Sequence, residues 1–72
     1  MHLIYSVLVR GAEAPADEFY TVEDARDRAQ EESSNFRSAC ILAQWYDYEG
    51  VLMFDQSVEY WNHGEMVAAR NL

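Results

Sequence analysis

A single cysteine in a chain of 72 residues is the feature that most limits what this sequence can fold into. A chain this short buries only about 60% of the surface that its unfolded form exposes, so its stability is marginal without support. Small domains usually obtain that support from disulfides, a metal or a partner chain. Because Cys40 has no second cysteine to pair with, we expect one domain, residues 1–72, that relies on an efficient core, on dimerisation, or on both.

The composition favours an efficient core. Half of the residues are hydrophobic and 14% are aromatic, which is too apolar for a disordered acidic tail. The lone cysteine fits a reducing compartment. The apolar run at residues 3–9 lacks a basic n-region, is followed by Arg10-Gly11 and not by a small-residue cleavage site, and is too short to span a bilayer. The sequence therefore predicts a cytoplasmic protein without a membrane segment.

The charge balance is strongly one-sided. Thirteen Asp and Glu face five basic residues, all arginine, which gives a formal net charge of −8 and a pI near 4.4. A surface of this sign repels nucleic acid and anionic membranes and attracts basic protein surfaces. We therefore expect a basic protein surface as the partner, and neither direct nucleic-acid binding nor membrane binding.

The first half of the chain predicts a strand, a loop and a helix. Residues 2–10 are apolar on both alternating faces, as in a strand covered on both sides, and residues 11–18 read as a loop. Thr21 and Asp24 resemble a capping box, which begins a helix, and Ser33-Ser34-Asn35 ends it. The apolar residues between fall near one helical face: Val22, Ala25, Ala29 and Phe36.

From residue 37 onward the hydrophobic period is two, which predicts strands. The first, residues 37–48, carries two apolar faces: Ala39, Ile41, Ala43 and Trp45 on one, with Cys40, Leu42 and Tyr46 on the other. Glu49-Gly50 predicts a hairpin turn. The next strand, residues 51–61, places Asp55, Ser57 and Glu59 on its polar face, with Gln56 as a candidate bulge. Asn62-His63-Gly64 is a second turn, and residues 65–70 form either a strand or a short helix.

This order predicts an α+β domain: a small antiparallel sheet of three to four strands, in the order strand, helix, strand, strand, strand, with one helix packed on one face. One helix cannot cover both faces of a sheet. The other face either stays exposed as an interface or is covered by the loop at 12–20, with Phe19 and Tyr20 as its lid. Aromatic residues are available to line an exposed face: Tyr5, Trp45, Tyr46 and Tyr48.

Signals for catalysis are weak. Cys40 lies between apolar neighbours, which is typical of a core residue and not of a nucleophile. His63 and Glu65 at a turn are too few ligands for a zinc site. The sequence has no phosphate-binding loop, calcium loop or nucleophile elbow. We therefore expect no enzyme activity, no catalytic residues, no metal and no cofactor.

The acidic residues carry the functional hypothesis. Glu23, Asp27 and Glu31 are four residues apart, so they form a row along the helix with steps of about 6 Å. Carboxylates spaced in this way on a rigid frame can imitate a nucleic-acid backbone and occupy a groove of Lys and Arg. The alternatives are a solvated surface that keeps the chain soluble or adaptation to a salty cytoplasm. The predicted partner-binding residues are Glu13, Asp17, Glu18, Glu23, Asp24, Asp27, Glu31, Glu32, Asp47, Glu49, Asp55 and Glu59.

The layout resembles that of small phage-encoded anti-CRISPR proteins that act on type I surveillance complexes. The resemblance rests on a short acidic chain that opens on a strand at 3–9, a capped helix from Thr21-Val22-Glu23-Asp24, and a terminal hairpin with Glu49-Gly50 and Tyr60-Trp61. It implies a stoichiometric inhibitor in the cytoplasm of an infected bacterium. Several proteins of this group are DNA mimics that block the DNA-binding or PAM-reading surface of the effector complex, which implies a Cas subunit as partner.

A second hypothesis assigns the chain to a different functional class. Here it is a phage or bacterial accessory protein that self-associates, as a homodimer for example, through an exposed aromatic sheet face. The acidic residues are then only solubilising. Charge reversal on the helix separates this hypothesis from the DNA mimic, since it abolishes partner binding in the mimic alone.

Overall fold

The computed structural model describes residues 2–34 and 37–70 and confirms a small α+β fold. One helix and five strands follow one another as β1 (His2–Val9), β2 (Ala16–Phe19), α1 (Val22–Ser33), β3 (Ser38–Tyr46), β4 (Leu52–Asn62) and β5 (Glu65–Ala69). The sheet is antiparallel throughout, in the order β2-β1-β3-β4-β5. Its five strands exceed the three to four that the sequence predicts. The segment 65–70, which the sequence leaves open, is a strand over Glu65–Ala69.

The additional strand is β2, which lies in the segment predicted as a loop. It pairs with β1 through Tyr5 opposite Phe19 and Val7 opposite Ala16, with an irregularity between them. Asp17 has a φ of 59°, a left-handed conformation that breaks the regular strand. A four-residue strand with two acids has no strand signal of its own, so pairing with the edge of β1 defines it.

The helix begins and ends as the sequence predicts. The Thr21 side-chain oxygen accepts a hydrogen bond from the Asp24 backbone N–H at 3.3 Å, as an N-cap requires. At the other end, the buried Ser33 hydroxyl accepts from the Gly64 N–H at 3.1 Å, which attaches the helix to the β4–β5 turn. Phe36, predicted for the apolar face, lies outside the described residues.

The core lies between the helix and one face of the sheet. Ala25 and Ala29 are fully buried, and their small side chains let the helix approach the strands closely. From the sheet, the core receives Val7, Ala39, Ile41, Ala43 and Val58, with Leu3, Tyr5, Phe19, Trp45 and Trp61 partly buried against it. The alternation predicted for β3 is confirmed, since its odd-numbered residues from Ala39 face the helix. The core nevertheless contains few large side chains that are fully enclosed.

The opposite face of the sheet is covered by no helix or strand in the described ranges. Tyr5 and Trp45, predicted for this face, lie on the helix side instead, because β1 and β3 place them in register with core residues. Tyr48 is 90% exposed in the hairpin turn. Strand β1 pairs with β2 along one edge and with β3 along the other, and α1 covers one of its faces. The apolar pattern of β1 predicts cover on both faces, and that prediction is wrong for the described residues.

The predicted aromatic lid is also wrong. Phe19 packs on the helix side of the sheet and Tyr20 is 82% exposed. The loop residue that lies beside the opposite face is Pro15, near Ser6 and Gln44. Strand β2 imposes this arrangement, because its pairing with β1 holds Phe19 opposite Tyr5.

Two irregularities in β4 change which side chains share a face. Ile41 pairs with Glu59 and Leu42 with Ser57, so Val58 is an extra residue in β4. In a second bulge, Met53 is the extra residue between Leu52 and Phe54. An extra residue moves the following side chain to the other face. The bulge is thus at Val58 and not at Gln56 as predicted, and Glu59 lies on the helix side of the sheet.

In the described part of the chain, no helix is long and apolar enough to cross a membrane.

Candidate partner-binding surfaces

The outer side of α1 presents a line of carboxylates, Glu23, Asp27 and Glu31, which we call the acidic row. The N-cap at Thr21 sets the helical phase, which turns Ala25 and Ala29 into the core and the acidic row outward. All three acids are exposed. Successive members lie about 6 Å apart along the axis. The three carboxylates therefore form the predicted row along the solvent-exposed side of α1.

The first arginine of the helix is used inside the molecule. Arg26 donates from Nε to both carboxylate oxygens of Glu59, at 3.1 and 2.8 Å, and its Nη2 lies 2.6 Å from Glu59 Oε2. Trp61 Nε1 donates to the same carboxylate at 3.1 Å. The hydrogen bond and the charge of Glu59 raise the pKa of Arg26, and the charge of Glu23 adds to the effect. Arg26 is thereby directed toward the sheet.

The second arginine of the helix is used in the same way. Arg28 donates to the Asp17 carboxylate on β2, and its Nε lies 3.4 Å from Glu32 Oε1. In the described ranges, neither Asp27 nor Glu31 forms a salt bridge. Both helix arginines thus pair directly with acids outside the acidic row, and of the row only Glu23 interacts with one of them, through its charge on Arg26.

The structure divides the remaining predicted partner-binding residues into two groups. Asp17 and Glu32 pair with Arg28, Glu59 is 4% exposed within its ion pair, and Asp47 is half-buried in the hairpin turn. The others are exposed: Glu13, Glu18, Asp24, Glu49 and Asp55. Asp55 pairs with Gln44 on the face of the sheet away from the helix. The twelve predicted acids therefore do not share one side of the molecule.

Asp47 holds the β3–β4 turn together. Its Oδ1 accepts from the backbone N–H groups of Glu49 and Val51, both at 2.9 Å, while Gly50 takes a φ of 82°. We expect Asp47→Ala to lower the free energy of unfolding by about 1 kcal/mol, because two backbone donors lose their acceptor. Urea denaturation measures this. Glu49→Ala, at an exposed position in the same turn, is the control; an equal loss there would contradict the assigned role.

The face of the sheet away from the helix forms a second surface. Its apolar side chains are half-buried or exposed, and we call them the open face: Ile4, Leu8, Cys40, Leu42, Tyr46 and Tyr60. The alternation of β3 predicted the contribution of Cys40, Leu42 and Tyr46. The positions of Ile4, Leu8 and Tyr60 were not predicted, since β1 is apolar on both faces and the bulge at Val58 shifts Tyr60.

The thiol of Cys40 lies in a shallow depression of the open face, beside Leu8, Arg10 and Tyr60. Burial raises the pKa of the thiol above its usual range, and a hydrogen bond with Ser57 partly offsets this. A raised pKa reduces the thiolate fraction near neutral pH. Within residues 2–34 and 37–70, no group of three or more His, Cys, Asp and Glu is arranged to hold a metal ion.

Fold and surfaces together define a small α+β domain with an acidic helical side and an uncovered apolar sheet face. Comparisons with protein-family models, with curated proteins and with solved structures find no match to this chain.

Proposed function

We propose that this chain is a non-catalytic binding protein whose acidic row occupies a basic, phosphate-binding groove on a partner protein. The observation that carries the proposal is the orientation of Arg26 and Arg28, which pair with Glu59, Asp17 and Glu32 and, in the described ranges, leave Asp27 and Glu31 without a salt bridge.

The helix dipole gives independent support. The last turn of α1 contains Glu31 and Glu32 and no basic residue. Negative charge at a helix C-terminus is unfavourable by about 0.3–1 kcal/mol, and like charges four residues apart add about 0.2–0.5 kcal/mol per pair. Glu31 at the C-terminal end of the acidic row therefore lowers the stability of the helix, whereas Glu23 in the first turn suits the dipole. Binding to a basic surface would offset this cost.

The proposed partner is a Cas subunit of a type I CRISPR effector complex, in the cytoplasm of an infected bacterium. The small size of the chain, its net charge of −8 and its acidic helix agree with a DNA mimic of this kind. The chain would act as a stoichiometric inhibitor that competes with target DNA. Because such binding is electrostatic, its affinity falls as salt concentration rises.

Fluorescence anisotropy of labelled target DNA on a purified type I effector complex tests the proposal. We expect the wild-type chain to displace the DNA, and the triple variant Glu23→Lys, Asp27→Lys and Glu31→Lys to bind about 100-fold more weakly. The reason is that like charges juxtaposed in an interface cost several kcal/mol. Circular dichroism of the variant establishes that it is folded.

A second triple variant serves as the matched control: Glu49→Lys, Asp55→Lys and Glu65→Lys. It changes the net charge by the same amount at exposed positions outside the helix. We expect it to retain most of the inhibition. An equal loss in both variants would show that only the net charge matters, and failure of the wild-type chain to displace DNA would refute this partner.

A further inference from the structure

The open face combines aliphatic and aromatic side chains, and no helix or strand of the described residues lies over it. Strands β1 and β3 and Tyr60 supply its apolar centre, in which Leu42 and Cys40 are half-buried. Among the described residues, the element outside the sheet that packs on it is α1, which lies on the other side. We propose that a second copy of this chain stacks on the open face, so that two sheets pack face to face between two outer helices.

The dimensions of the sheet suit a dimer. Five strands of four to eleven residues, with a rise of about 3.3 Å per residue and a spacing of about 4.8 Å, give a face of roughly 600 Å² per copy. Two such faces bury roughly 1,200 Å², which lies at the lower end of the range of specific, stable interfaces. The monomer also benefits from a second apolar layer, because Ile41 and Val7 are its only large hydrophobic side chains, among the described residues, that are fully enclosed.

Each copy carries a net charge of −8, and the electrostatic repulsion between two copies is smallest when they meet at the open face. Stacked sheets lie about 10 Å apart, and each helix lies on the outer side of its sheet. The two acidic rows would then be about 30 Å or more apart, several times the Debye length of about 8 Å at physiological ionic strength. Of the chain's surfaces, the open face brings two copies together with their acidic rows farthest apart.

The carboxylates on the same side of the sheet as the open face lie near its edges, on the outer strands β2 and β5 and on the part of β4 that precedes its pairing with β5. Glu18 is on β2, Asp55 on β4 and Glu65 on β5, whereas the basic Arg10 borders the centre. In a dimer these acids surround the interface and repel one another weakly. Added salt therefore tightens the dimer, because it screens this repulsion while strengthening apolar burial. Added salt weakens partner binding through the acidic row, so the salt dependence of the two processes distinguishes the two proposals.

Analytical ultracentrifugation of the full chain over a range of protein and salt concentrations tests the dimer. We expect a monomer–dimer equilibrium with a dissociation constant that falls as salt rises. Tyr60→Lys, which buries an unpaired ammonium group between the stacked faces, is expected to weaken the dimer by about 100-fold. Tyr20→Lys is the matched control: the same change at a tyrosine that is 82% exposed and outside the open face, with no effect expected.

The Cys40 thiol provides a second readout that needs no substitution. A maleimide reagent modifies Cys40 in the monomer, and we expect the modification rate to fall as protein concentration rises through the dissociation constant. A monomer up to about 1 mM protein, or a dimer in which Cys40 stays equally reactive, would overturn the proposal. The latter result would place the interface elsewhere, for example at the unpaired edge of β4 before Val58.

Discussion

Replacing Ile41 by alanine is expected to lower the free energy of unfolding by about 3–4 kcal/mol. Ile41 is fully buried at the centre of β3, opposite Val7 on β1 and Glu59 on β4. Loss of a large buried aliphatic side chain removes its transfer free energy and leaves a cavity. A domain of this size has a total stability of only about 4–11 kcal/mol. The substitution therefore removes a large fraction of that stability.

Urea denaturation measures the change, at one fixed protein concentration because any self-association adds to apparent stability. Ile41→Val keeps most of the volume and is expected to cost about 1 kcal/mol. Val67→Ala, at a residue that is 63% exposed, is expected to change stability by less than about 0.5 kcal/mol. A loss below 1 kcal/mol for Ile41→Ala would mean that the core is not organised around this side chain.

The second large effect is expected from Arg26→Ala, at about 2–3 kcal/mol. This substitution removes the guanidinium donors from the Glu59 carboxylate, which is buried, and leaves Trp61 Nε1 as its remaining donor. Breaking a fully buried pair costs about 3–5 kcal/mol. We expect a smaller loss of stability here because the Arg26 side chain is 43% exposed, so water can take over some of the hydrogen bonds that Arg26 donates to Glu59.

Arg28→Ala is the matched control for Arg26→Ala. Its partners Asp17 and Glu32 are 46% and 31% exposed, and exposed pairs contribute about 0–1 kcal/mol. The double variant Arg26→Ala with Glu59→Gln is expected to be more stable than Arg26→Ala alone, since it removes the unpaired buried charge. Equal losses for the two arginine variants would argue against a special role for Glu59.

Much of the fold follows from local sequence signals. The alternation in β3, the cap at Thr21 and the turn at Gly50 depend on residues near one another in the chain, and the structure confirms each. Strand β2 was missed because its four residues have no alternating apolar pattern. Only its partner strand, which supplies the hydrogen bonds, makes it a strand.

The candidate surfaces were predictable to a similar extent. Helical periodicity predicts the acidic row directly, since Glu23, Asp27 and Glu31 need only a helix to align. The role of Glu59 was not predictable from its neighbours, because the bulge at Val58 reverses its face and its partner Arg26 is 33 residues away. An acid that reads as surface-exposed is therefore a buried structural group.

The sequence by itself thus determined the fold class, the helix with its outward acids, and the net charge of −8. These properties depend on composition and on periods of two and 3.6 residues, which are local. The tertiary structure decided which arginine pairs with which acid, which residues form the open face, and where β4 changes its register. Those outcomes depend on contacts between distant parts of the chain, and a single extra residue in one strand is enough to exchange its inner and outer side chains.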